Sequence, residues 1–153
     1  MGYLFNLLPI NNIKIDVDLS SKRRVFDEAG LIFEESLGIS RQHVFEAFLE
    51  REKMGSTALG NGIAIPHGRI DSLKKSTGAF IRSSNGIPFE AHDNNPVFLF
   101  FFLMVPSNAT EMHLQILSEL SQLFGTQTVV KKIKESRDPE EIHQIFSDWE
   151  SYA

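Results

Sequence analysis

Apolar and polar positions along the chain recur with two different periods, and the change of period divides it into helices, then strands, then helices. Val25, Ala29, Ile32, Phe33 and Leu37 stand at the three- and four-residue spacing that lines one face of a helix. Ser20 or Ser21 is placed to cap that helix, and Gly38 occupies the usual terminating position. Ser40 caps a second helix, roughly Arg41 to Lys53, whose apolar face is Val44, Phe45 and Phe48. Counting on by one helical turn brings Arg51 to that same side. A cation at a helix C-terminus suits the macrodipole, but an inward guanidinium still wants an anionic partner.

The period then shortens. Gly62 to Pro66 reads as a short apolar strand, Thr77 to Arg82 as another, and the alternation of Ile13, Ile15 and Val17 marks a third. Val97 to Val105 is an uninterrupted apolar run between Pro96 and Pro106, far short of the ~20 residues a membrane helix needs. It is expected to be a strand buried on both faces at the centre of a sheet. Asn85-Gly86 and His92-Asp93-Asn94-Asn95 mark turns. After Pro106 a helix runs from about Ala109 to Phe124, with Met112, Ile116, Leu120 and Leu123 as its buried stripe and His113 at the margin of that stripe. Thr126 or Thr128 opens a short helix with Val129, Val130 and Ile133 apolar. Asp138-Pro139-Glu140-Glu141 is a cap sequence, and the helix it opens buries Ile142, Ile145, Phe146 and Trp149. This order predicts a layered α/β fold with a mixed sheet, in a single domain over residues 1–153.

Composition narrows the chemistry. The formal net charge is −5 with charges spread through the sequence, which excludes the basic stripe of a nucleic-acid binder and does not favour anionic membranes. Cysteine is absent, so disulfides, thiolate metal sites and cysteine catalysis are ruled out, a composition compatible with a reducing cytoplasm. Residues 1–10 have no basic segment or small-residue cleavage site, so neither a signal peptide nor membrane insertion is expected.

The candidate chemistry centres on Gly55 to Arg69, a glycine-punctuated loop that tightens into apolar residues and ends on Pro66-His67-Gly68. Imidazole offers a free ring nitrogen near neutral pH. Pro66 biases Ile65 to an extended conformation, and Gly68 leaves no side chain to block a second molecule from approaching the ring. His67 is expected where a strand gives way to loop. Taken singly, a histidine is more often structural, and His43, His92 and His143 are read that way. His67, His113 and Arg51, however, stand near the ends of their elements and are free to converge on one anion. That suits phosphoryl transfer, in which one histidine attacks, a second donates to a phosphoryl oxygen and a guanidinium binds the others. Alternatives fit less well: there is no HxxxH or HxH metal pair, no GxSxG elbow and no Lys-Ser/Thr ending of a nucleotide-binding loop. Neither metal nor cofactor is expected.

Arg51-Glu52-Lys53-Met54-Gly55-Ser56-Thr57, with Gly60-Asn61-Gly62-Ile63-Ala64-Ile65-Pro66-His67-Gly68, resembles the IIA component of the bacterial phosphoenolpyruvate-dependent phosphotransferase system. The class is mannitol/fructose and the wording is closest to its nitrogen-regulatory branch. The likeness extends over nearly the whole chain, through Phe45-Glu46-Ala47, Val105-Pro106 and His113-Leu114. It implies a three-layer α/β/α sandwich and a phosphohistidine carrier. By the same resemblance His67 is expected to accept the phosphoryl group from a histidine-containing phosphocarrier protein, with His113 as the second active-site histidine and Arg51 as the active-site arginine. It also implies regulated target proteins in nitrogen or potassium metabolism. Ala58-Leu59 and Arg69 depart from the usual glycine-isoleucine and lysine, and Ala58 matters if its position requires a positive φ. With no Cys and no membrane segment the chain is expected to stand alone, favouring a regulator over a sugar-specific component that feeds a separate IIB. A pure interaction module that is never phosphorylated is the rival from another class.

Overall fold

The computed structural model describes residues 2–108 and 110–149. The long apolar run forms β6 (Val97–Pro106), hydrogen-bonded on one side to β5 (Thr77–Ile87) and on the other to β3 (Ile63–Ala64) and then β4 (His67–Ile70). β1 (Ile13–Val17) pairs with β5, and β2 (Ala58–Gly60) pairs with β3. The β1–β5, β3–β6 and β4–β6 pairs are parallel, whereas β5–β6 and β2–β3 are antiparallel. The sheet is therefore mixed, with β6 at its centre as its composition requires.

Because side chains alternate across a strand, β6 feeds two cores. Phe100, Phe102 and Met104 pack with Val25, Phe26 and Phe33 of α1 (Lys22–Leu37) and with Val44 and Phe48 of α2 (Arg41–Lys53). Leu99, Phe101, Leu103 and Val105 face three other helices: α3 (Thr110–Phe124), α4 (Gln127–Glu135) and α5 (Pro139–Asp148). Helices on both faces of a mixed sheet give the three-layer sandwich. Local chemistry sets the helix ends: Ser21, Ser40 and Asp138 accept the backbone N–H of Arg24, His43 and Glu141, and Gly38 adopts φ 72°.

Several sequence expectations are corrected. The Gly55–Gly60 segment is not all loop, since Ala58–Gly60 turns back on Ile63–Ala64 through Asn61-Gly62, both at positive φ (55° and 81°) as a two-residue hairpin turn demands. Ala58 itself needs no positive φ. The expected Gly62–Pro66 strand is only Ile63–Ala64, because Pro66 has no N–H with which to continue the ladder. Asn85-Gly86 is no turn. β5 runs through it to Ile87, with a break in register after Arg82. Leu37 and Met112, assigned to buried stripes, are 39% and 48% exposed, and Ile145 and Trp149 are only partly covered. Thr126 precedes α4 but donates its hydroxyl to Gln122 O instead of capping. Ala109, the expected start of α3, lies outside the described residues.

Phe102 carries much of the first core, its ring 5.1 Å from that of Phe48 and 5.9 Å from that of Phe26. Phe102→Ala is expected to cost about 3–5 kcal/mol in urea unfolding. A loss below about 1 kcal/mol would contradict this packing.

Candidate functional site

His67 is the first residue of β4, so it opens a strand where the sequence suggested that one would close. It lies opposite Leu103 of β6, which turns its side chain toward the α3 layer; Gly68, opposite Met104, faces α2. A Cβ on Gly68 would come within 3.2 Å of the Ala47 carbonyl, so this glycine lets α2 lie close against β4. Its smallness serves the helix that carries Arg51, and not access to the imidazole as the sequence reading held.

That close approach delivers Arg51 from the last turn of α2. Its Nε–H donates to His67 Nε2 at 3.1 Å and its Nη1 to Gly55 O at 2.8 Å. The other ring nitrogen, Nδ1, lies 3.0 Å from Ile65 O. A carbonyl only accepts, so Nδ1 carries the proton and the lone pair resides on Nε2. From the other layer α3 brings in His113, whose ring centroid is 5.2 Å from that of His67 at an interplanar angle of 66°. His113 is buried, and its Nε2 has no hydrogen-bond partner among the described residues. The three residues singled out from sequence are thus brought together from three elements. His43 and His92 are exposed, and His143 donates Nδ1–H to Leu8 O.

Both imidazoles are held neutral. Burial lowers the His67 pKa below 6.5, with the Arg51 and Arg69 charges adding to the effect while the Ile65 carbonyl and Glu52 oppose it. Burial also pushes His113 down, to about 4, assisted by His67, Arg69 and Arg51. At neutral pH the pair therefore offers lone pairs and N–H donors without positive charge.

Sequence reasoning missed Glu52. Its buried carboxylate accepts the Thr57 hydroxyl at 2.6 Å and the Thr57 N–H at 3.2 Å, and pairs with Lys22 Nζ at 3.0 Å. Thr57 O in turn accepts Ile65 N–H at 3.0 Å, the residue whose carbonyl holds His67. The signal was present in the sequence. Val44, Phe48 and Glu52 are spaced four apart, so Glu52 continues the buried stripe by one turn. Arg51 was expected to seek an anion; among the described residues the ion pairs are Lys22–Glu52, Arg41–Glu34 and Arg82–Asp16, and Arg51 is in none of them.

The sequence model of the family described as "Phosphoenolpyruvate-dependent sugar phosphotransferase system, EIIA 2" matches residues 6–149. The chain belongs to this family. It is 38% identical over 146 residues to the nitrogen regulatory protein of Klebsiella oxytoca, covering 95% of this chain and 90% of the other. The crystal structure of nitrogen regulatory protein IIA-Ntr from Neisseria meningitidis superposes with a TM-score of 0.90 at 42% identity, covering 95% of this chain and 99% of that one. These likenesses place it in the nitrogen-regulatory branch. A fructose-specific EIIA component of Haloferax volcanii is 39% identical over 108 residues, covering 71% of this chain and 70% of its own length.

The electrostatics are testable by NMR titration of the histidines. Arg51 disfavours the imidazolium of both rings, so Arg51→Ala is expected to raise the pKa of His67 and of His113. In the unaltered chain His113 titrates near 4 and His67 below 6.5. A His67 pKa unmoved by the substitution would contradict the contact.

Proposed function

We propose that this chain is a phosphocarrier that accepts a phosphoryl group on His67 Nε2 from a histidine-containing phosphocarrier protein. Its phosphorylation state then governs binding to target proteins in the cytoplasm. The observation that carries this reading is the fixed tautomer of His67: the Nδ1 proton is engaged by Ile65 O, and the Nε2 lone pair accepts from Arg51 beside a buried, neutral His113.

The transfer balances without a separate base. The Nε2 lone pair attacks phosphorus, the P–N bond to the donor imidazole breaks, and its electron pair returns to the donor nitrogen. His67 keeps its Nδ1 proton throughout, and the Ile65 carbonyl stabilises the positive charge that the ring acquires. As Nε2 bonds to phosphorus, the Arg51 N–H that had been directed at its lone pair passes to a phosphoryl oxygen. His113, neutral, donates to another without the repulsion that a second cation would offer the charged ring. Among the described residues no helix is long and apolar enough to cross a membrane.

A second reading is supported by the fructose-specific relative: a sugar-specific component that passes the group to a separate IIB. Offering the phosphorylated chain to fructose- and mannitol-type IIB domains separates the two, since a regulator transfers slowly to both and rapid transfer to either overturns the regulatory reading.

Incubation with phosphoenolpyruvate, enzyme I and the carrier protein, followed by mass spectrometry, is expected to show one phosphoryl group on the chain and none on His67→Ala. Arg51→Ala and His113→Ala are expected to fold and to accept it at least about tenfold more slowly, the loss of one charge-assisted or buried donor. Undiminished phosphorylation of His67→Ala sinks the assignment, including against the rival of an unphosphorylated interaction module.

A further inference from the structure

Arg69 is unused by the site as described. It lies two residues beyond His67 on β4, so it leaves the strand on the same face, and its register partner Val105 belongs with Leu103 to the core under α3. Its Nη1 donates to Ser107 O at 3.1 Å, in the segment leading to the helix that carries His113. Ser107 is itself held, its hydroxyl bonded to Asp71. Arg69 is exposed and, like Arg51, takes part in no ion pair among the described residues. It is therefore a guanidinium tied down by one of its donors, at the rim where the two histidine-bearing elements meet. Its charge bears on both imidazoles.

Charge counting gives this position a purpose. Glu52 is balanced by Lys22 and both imidazoles are neutral, which leaves Arg51 and Arg69 as uncompensated cations around His67. A phosphoryl group brings about two negative charges and several strong acceptor oxygens. We propose that Arg69 is a second phosphoryl-binding cation. When His67 is phosphorylated, the guanidinium of Arg69 takes a terminal oxygen, so that two arginines neutralise the dianion while His113 supplies a neutral donor. Lysine preserves the charge at this position but not the guanidinium fork. The proposal rests on His67 being the phosphorylated residue.

The test separates a bond to the phosphoryl group from a role in docking the donor protein. A residue that only docks the partner changes the rate of exchange in both directions and leaves the equilibrium constant unchanged. A residue that binds the phosphoryl group moves the equilibrium itself. The full chain, Arg69→Lys and Arg69→Gln are each mixed with phosphorylated carrier protein, and the phosphorylated fractions are read at equilibrium by mass spectrometry, with thermal unfolding as the check on fold. Arg69→Gln is expected to shift the equilibrium about tenfold toward the phosphorylated carrier, the loss of one charge-assisted hydrogen bond, and Arg69→Lys about threefold or less. A slower exchange with an unchanged equilibrium constant makes Arg69 a docking residue and overturns the proposal, as does no change in either. If the unaltered chain takes up no phosphoryl group on His67, the phosphocarrier reading fails first and for a separate reason.

Discussion

The site depends on the hydrogen bond from His67 Nδ1 to the carbonyl of Ile65, two residues earlier in the chain. A neutral imidazole has one donor and one acceptor, and whichever nitrogen gives its proton away determines which is the nucleophile. Ile65 O is itself held in place. Its residue's N–H is bonded to Thr57 O, Thr57 is bonded through hydroxyl and amide to Glu52, and Glu52 is paired with Lys22 at the start of α1. The tautomer is thus anchored through three segments to the first helix, in a network whose carboxylate is buried and satisfied. A buried carboxylate costs several kcal/mol to leave unpaired, so this network resists rearrangement.

The two faces of the sheet contribute different things. α2 approaches β4 closely because Gly68 has no side chain, and so delivers Arg51; α3, on the opposite face, delivers His113. Both imidazoles sit where burial keeps them uncharged, with guanidinium groups around them that form no ion pair among the described residues. This arrangement is costly in the absence of an anion, since among the described residues a buried His113 Nε2 has no hydrogen-bond partner and Arg51 no ion-pair partner. In the proposed phosphocarrier, a phosphoryl group on His67 would satisfy both.

Much of this was legible in the sequence. Ser21 and Ser40 with Gly38 bracketed α1 and began α2, and the run from Val97 could only be a central strand. The convergence of His67, His113 and Arg51 was anticipated from residue type and position, aided by the likeness to a known family. What escaped notice depends on tertiary pairing. Pro66 ends the apparent strand early and β4 opens just beyond it at His67, while Asn85-Gly86 falls in a register break of β5, which resumes pairing with β6 at Ile87. Asn61-Gly62 was a hairpin signal read as loop. Gly68 looked like open space beside the imidazole, because nothing local says that a helix lies against it.

The measurement that bears most directly on this account is a long-range proton–nitrogen NMR spectrum of the ring nitrogens of His67, before and after phosphorylation. The expected result is a protonated Nδ1 and unprotonated Nε2 in the free chain, and phosphorus coupling on Nε2 in the phosphorylated one. Phosphorus on Nδ1, or a proton on Nε2 in the free chain, would contradict the role assigned to the Ile65 carbonyl and with it the arrangement of the whole site.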